Sequence, residues 1–428
     1  MRRGRDTLRC TGLLVLWMLG TSVARAEERL TPGVATDATL GPGELRVFRV
    51  EADAGSALHL RLDHLHLDVV VRVTAPDGEM LGEATPVGTP EPATLTVIVP
   101  RPGAQRIEVR LRSPRARSGW FRIRVDTPHP ATDADRRRIH AERLRFEADR
   151  IGDGDDATGY PRMFELYEQS ADEFAALGDD FEEATALLMM ADMLETNNRL
   201  PDARRMLERA LPLFQRSGEH AGESRCLDEL GLVHAEQGES HTALELYAQA
   251  LALRRSLGPH PYSEGRIVNG MAIALANQGD VPGAIARYTE ALPFARQDGD
   301  EVAYAVALKN RAGQYLALGE YERGLEDLRD ARARFRALGK TREEGLAEFS
   351  IGVAGLDQKQ LDLAWSSLER AFPLLEKAGN ERFAALVLEW MGLVRLEQGR
   401  HREAASLLDQ ALRRIEKGGD RRTAATIR

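Results

Sequence analysis

Two places in this 428-residue chain hold side chains of the types that perform chemistry. Cys226 lies between His220 and His234, the pairing of thiol and imidazole that nucleophilic catalysis needs. The stretch 63-DHLHLD-68 places His64 and His66 two residues apart between Asp63 and Asp68. On a strand, alternate residues share one side, so the two imidazoles and a carboxylate could converge on a metal ion. No G-x-S-x-G, H-E-x-x-H, phosphate-binding loop or dinucleotide fingerprint is present. Whether either constellation is real depends on the elements that carry it.

Cys226 sits in a repeat. From Asp133 the hydrophobic pattern is helical, beginning with 133-DADRRRIHAERLRFEADRI-151, and glycines then recur at 178, 218, 258, 299, 339, 379 and 419. Their spacings are 40, 40, 41, 40, 40 and 40 residues, and a second turn falls about midway at Asn198, Gly238, Gly279, Gly319, Lys359 and Gly399. Each unit is therefore two helices and two turns. Small residues recur in the first helices at Ala191, Gly231, Ala272, Ala312, Gly352 and Gly392. The second helices carry a small residue at Ala203, Ala243, Ala284, Gly324, Ala364 and Ala404, and a large one four residues later. A ladder of alanines follows at 210, 250, 291, 331, 371 and 411. Aligned by unit, Cys226 shares a column with Ala186, Ile267, Ala307, Ala347, Val387 and Ile427, which predicts a buried apolar slot rather than a catalytic one.

The histidine pair belongs to a different region. Residues 29–127 alternate with period two between turn residues, as in 56-SALHLRLD-63, where three leucines share a face. The segment 67-LDVVVRVTAPDGEML-81 predicts a hairpin, since Pro76 presets a turn that Asp77-Gly78 completes. Further strands are expected at 43–52, 93–99, 105–112 and 118–125. The leucines change parity across Asp63-His64, which predicts a bend that leaves His64 and His66 on the wet face and no metal site.

The remaining signals concern address and charge. Arg2, Arg3, Arg5 and Arg9 precede the apolar run 13-LLVLWML-19 and then Ala24-Arg25-Ala26, the pattern of a secretory signal peptide over 1–26. The run is shorter than the roughly 20 residues of a spanning helix, so no membrane span is expected after cleavage. Removing it takes 58 basic and 67 acidic side chains to 53 and 66, a net of −13, which argues against nucleic acid as a partner. Arg136-Arg137-Arg138 lies among acids and reads as a charged helix face. Cys226 is then the lone cysteine, so stability must come from packing without an internal disulfide.

The small/small/large/small spacing of the units resembles the tetratricopeptide repeat, with a period longer than the usual 34. The β-rich segment resembles the pre-peptidase C-terminal type of sandwich through 68-DVVVRVTAPDG-78, 102-PGAQRIEV-109 and 119-GWFRIRV-125. The expected fold is thus a small all-β sandwich (29–127), a linker helix and loop (128–159), and an all-α tetratricopeptide-repeat solenoid over 160–428. The whole order, with "G-D" seams such as 291-ALPFARQDGD-300, is similar to bacterial exported tetratricopeptide-repeat proteins bearing a caspase-like CHAT domain, which is absent here.

The repeat array and the missing catalytic motifs lead to a non-catalytic exported scaffold that binds a protein or peptide in a concave groove, without cofactor or metal. A sensing or regulatory arm of a CHAT-type peptidase, and an envelope- or carbohydrate-binding module with the repeats as spacer, are the alternatives. Groove residues are expected at Arg225, Asp228, Arg266, Asn269, Lys309, Phe349, Val353, Glu389, Trp390 and Leu393, polar in the early units and apolar in the last two. Phe349 and Trp390 could equally be core. A Lys/Asn/Asn/Lys/Arg clamp for a terminal carboxylate is only faintly matched by Asn269, Lys309 and Asn310. The closing 418-GGDRRTAATIR-428 opens a seventh unit without covering it, which predicts fraying, a missing domain, or self-association through that end.

Overall fold

The computed structural model describes residues 27–64, 67, 69–84, 92–112, 118–152, 159–258 and 261–417. The expected signal peptide, His66, Asp68 and the 418–428 tail lie outside them. The fold is a small β-sandwich followed by a tetratricopeptide-like helical solenoid. By packing, the chain divides after Gly178 into two compact units.

In the first unit the strands are β1 (Glu28–Arg29), β2 (Thr36–Leu40), β3 (Leu45–Ala52), β4 (Ser56–His64) and β5 (Val69–Thr74). They continue as β6 (Met80–Ala84), β7 (Ala93–Ile98), β8 (Gly103–Leu111), β9 (Gly119–Val125) and β10 (His129–Pro130). One sheet has the order β1-β3-β8-β5-β6, and the other joins β2, β9 and β4, with β7 and β10 also paired to β4. All pairings are antiparallel except β1 with β3.

Alternation places one face of each sheet inward. Phe48 of β3 meets Phe121 of β9 edge-on across the core, with ring centroids 6.1 Å apart. At the β5–β6 turn Gly78 takes φ +90°, and the Glu79 amide donates to Asp77. His64 departs from expectation. The alternation of Leu58, Leu60 and Leu62 runs on through Asp63, so His64 is on the inward face and is buried, not wet.

Helix α1 (Asp133–Gly152) begins with a reciprocal cap. The Thr132 amide and hydroxyl donate to Asp135, whose own amide donates to the Thr132 hydroxyl. One face of α1 closes on strand β7. The buried Glu142 carboxylate accepts from the Thr96 amide and the Thr96 hydroxyl, both at 2.8 Å, and Arg145 donates to the Thr94 hydroxyl at 3.1 Å. A strand amide that a neighbouring strand does not pair is thus paired by a helix. Helix α2 (Tyr160–Leu177) packs on α1, with the Ser170 hydroxyl donating to the Ala141 carbonyl.

The second unit is a series of hairpins: α3 (Asp180–Thr196) with α4 (Leu200–Ser217), α5 (His220–Glu236) with α6 (Ser240–Ser256), and α7 (Pro261–Gln278) with α8 (Val281–Asp298). They continue as α9 (Glu301–Ala317) with α10 (Tyr321–Ala337), α11 (Thr341–Asp357) with α12 (Leu361–Lys377), and α13 (Glu381–Glu397) with α14 (His401–Lys417). The G-D seam has a physical reason. Gly299 ends α8 in the left-handed region at φ +62°, and Asp300 then caps α9 by accepting from the Ala303 amide.

The small column of the first helices is equally explicable. A methyl group on Gly231 would lie 2.8 Å from the Tyr247 ring, and one on Gly352 or Gly392 would meet Leu368 or Leu408 at 2.7 and 2.9 Å. These are the large residues sixteen positions later, so small-against-large packing closes each hairpin. Tyr247 also reaches the next unit, since a methyl on Gly270 would stand 2.6 Å from it. First helices of successive units touch, α3 with α5, α5 with α7, α9 with α11 and α11 with α13, whereas no two second helices come as close. The first-helix face is therefore the inner side of this unit.

Candidate binding face of the first helices

Residues one unit apart form rows on this face. One row runs Asp228, Asn269, Lys309, Phe349 and Glu389, and a neighbouring one Glu229, Gly270, Asn310, Ser350 and Trp390. Their environments differ sharply along the array.

In the early units the charges hold each other. Arg225 donates to Asp192 of the preceding first helix at 2.5 Å. Arg266 bridges back to Asp228 and to Glu229, the latter at 2.6 Å. Burial pushes the Asp228 carboxyl up and the Arg266 guanidinium pulls it down, so Arg225, Asp228 and Arg266 form a ladder across three units rather than a free charged surface. Glu195 stands beside this ladder without an ion-pair partner. Burial and then the carboxylates of Glu229, Glu236 and Asp192 raise it from its ordinary value to about 7.

Lys309 is the contrasting case. It is half-buried and makes no hydrogen bond or ion pair with any described residue. Burial holds its ammonium below the usual lysine range, while Glu343 and Arg342 act on it in opposite senses. Asn310 next to it is engaged with the Tyr288 hydroxyl, which weakens the faint likeness to a carboxylate clamp. Asn269 keeps its amide oxygen buried with no partner.

In the last units Phe349 meets Phe383 and Trp390 edge-on at 6.3 and 6.2 Å. All three sit at the margin of the hydrophobic cluster that also holds Leu388 and Met391. Phe349, Trp390, Val353 and Leu393 are half-buried, so they complete the core and also present an apolar edge. Glu389, half-buried among them, is raised by burial.

Cys226 is fully buried, its thiol donates to the Leu207 carbonyl at 3.3 Å, and burial drives its pKa far up. Such a thiol is packing, not a nucleophile. Among the described residues no three histidine, cysteine or acidic side chains come together as a metal site, and no helix is long and apolar enough to cross a membrane.

The sequence columns did not disclose Glu195, which lies at the end of a first helix, or a cavity of about 240 Å³ between α7, α8 and α9. A signal for the cavity was present. The single 41-residue spacing falls between Gly258 and Gly299, in the unit that forms it.

Regular helical hairpins with an inner face of this kind define an α-solenoid. Residues 182–256 and 229–300 match family models described as tetratricopeptide repeat, and the later hairpins repeat the same packing. Among solved structures of like fold, the apo form of RapI is 14% identical with a TM-score of 0.53, over 65% of this chain and 99% of that one. A signal transduction ATPase with numerous domains from Pyrococcus horikoshii, which carries a tetratricopeptide repeat sensor, is 16% identical with a TM-score of 0.52. That match spans 69% of this chain and 47% of the other. Aspartyl phosphate phosphatase F from Bacillus subtilis is 12% identical with a TM-score of 0.51, over 66% of this chain and 71% of that one. At these identities the likeness is one of fold. No curated protein matches the chain in sequence.

Proposed function

We propose that the protein is a non-catalytic scaffold that holds an extended peptide segment of a partner protein along the first-helix face. The observation that carries this is Lys309. A half-buried ammonium with no ion pair among the described residues, its attraction to Glu343 opposed by Arg342, destabilises the fold, and an acidic group on a ligand removes that cost. The aromatic edge at Phe349 and Trp390 supplies apolar contact next to it. A photo-crosslinking residue at position 353 on a first helix, compared with one at 326 on a second helix, tests the face. Partner capture from 353 and not from 326 is the expected result, and equal capture from both removes the reading.

Export is part of the proposal, on the strength of 13-LLVLWML-19 and Ala24-Arg25-Ala26. A mature N-terminus at Glu27, read by mass spectrometry, is the expected outcome, and an intact Met1 is the contrary one. A second reading makes the chain the sensing arm of a CHAT-type peptidase, favoured by the order of sandwich, capped helix and 40-residue units. DNA beyond codon 428 that continues in frame with His and Cys motifs supports that reading, and a stop codon there counts against it.

A further inference from the structure

The cavity between α7, α8 and α9 lies at the one seam where successive first helices do not close. Contacts join α3 to α5, α5 to α7, α9 to α11 and α11 to α13, but α7 and α9 stand further apart. Ala291 and Ala295 of α8 form part of its wall, Val302 and Val306 of α9 another, and Gly265 and Asn269 of α7 a third. Its lining is mostly apolar, and it belongs to the same inner face as Lys309.

Size narrows the occupant. A cavity of about 150 Å³ accommodates benzene, whereas sites for free small molecules run from about 300 to 1,000 Å³. At about 240 Å³ this one matches a single aromatic side chain whose backbone stays in the groove. Polarity narrows it again. Asn269 lines the cavity and its amide oxygen is buried with no hydrogen-bond partner. A phenylalanine or leucine would leave that acceptor unpaired, while an indole N–H or a phenol O–H can donate to it.

Lys309 follows Asn269 in the same row, one unit on. Adjacent packed helices are about 8–10 Å apart, and an extended chain advances about 3.3 Å per residue. The α7–α9 seam is wider than that, so the step from Asn269 to Lys309 takes at least about three residues of bound peptide.

We propose that this cavity is the specificity pocket of the groove. It takes one tryptophan or tyrosine of an extended partner segment that also carries an acidic residue at least about three positions away, facing Lys309. The proposal deepens the peptide-binding reading and depends on it.

Panning a phage-displayed library of random 12-residue peptides against the full chain, followed by titration of labelled winners, tests both. Enriched peptides should carry tryptophan or tyrosine with Asp or Glu at least about three residues away. Changing that aromatic residue to alanine should weaken binding about 30-fold or more, as for a buried anchor. Changing it to phenylalanine should weaken binding about fivefold, the worth of one hydrogen bond. Val306→Trp fills the cavity and should abolish selection of these peptides. Asn269→Leu leaves the apolar walls in place and should erase the preference for tryptophan over phenylalanine, so the test stands even where Val306→Trp fails to fold. Peptides that bind without an aromatic residue, or that both variants bind unchanged, overturn the pocket and leave the groove reading intact. Failure to enrich any peptide that first-helix substitutions weaken overturns both.

Discussion

Replacing Glu195 with glutamine should stabilise the protein at high pH and not at low pH. Burial and three neighbouring carboxylates raise Glu195 from 4.5 to about 7 in the folded chain. The native state therefore holds a proton that the unfolded state has released between those two values, so stability falls as pH rises through the window from about 4.5 to about 7. Taken at face value the shift corresponds to about 3.4 kcal/mol, but Glu195 is only half-buried, and solvent screening reduces the expected effect to about 1 kcal/mol. Glutamine keeps the shape and removes the charge. Urea denaturation of wild type and Glu195→Gln at pH 4 and pH 8 measures the difference. The variant should gain about 1 kcal/mol at pH 8 and nothing at pH 4. A gain of the same size at both pH values would refute the argument, because it could not then arise from ionisation. Binding of a cationic ligand group should have the same dependence, strong above pH 7 and lost below pH 5.

Lys309→Met should raise stability by up to about 1 kcal/mol while weakening peptide binding, opposite signs that mark a residue retained for function. Calorimetric melting and fluorescence titration read the two effects. Lys359 is the one lysine in a turn row otherwise made of glycine and Asn198, and its φ is +57°. Lys359→Gly should gain about 0.5–1 kcal/mol, and Gly319→Ala at φ +76° should lose about as much, by urea midpoint with unchanged slope. Glu142→Ala leaves the Thr96 amide and hydroxyl without their acceptor and should cost the first unit about 2–3 kcal/mol, seen as faster proteolysis of β7.

The helical half was legible because its information is repeated. Six copies of one packing problem place a small residue opposite a large one sixteen positions away, and a turn that needs positive φ selects glycine in each copy. Cys226 could be dismissed as a nucleophile on that basis alone, from the apolar character of its column. Single-copy features were harder to read. Strands β1, β2 and β10 went unrecognised because two to five residues hold too little alternation. His64 was misplaced because the change in leucine parity was assigned to Asp63-His64, whereas β4 continues straight through that pair. The Arg266 ladder joins residues 37 and 38 positions apart, a distance at which composition and periodicity carry no information about pairing.

The same regularity identifies where to look for function. In a repeat array every row has a packing solution that its other members exhibit, so a buried polar departure from the row has a cost that the fold does not require. Several departures are compensated inside the chain: Asp228 by Arg266, Arg225 by Asp192, Asn310 by Tyr288. Glu195, the Arg254 Nε, the Asn269 amide oxygen and Lys309 are among those that are not. Two of these, Asn269 and Lys309, occupy consecutive places in one row, and they flank the seam that the 41-residue unit leaves open. A ligand with an apolar body, a donor and a negative charge would satisfy the Asn269 amide oxygen and Lys309 together, which no neighbouring side chain of the array does.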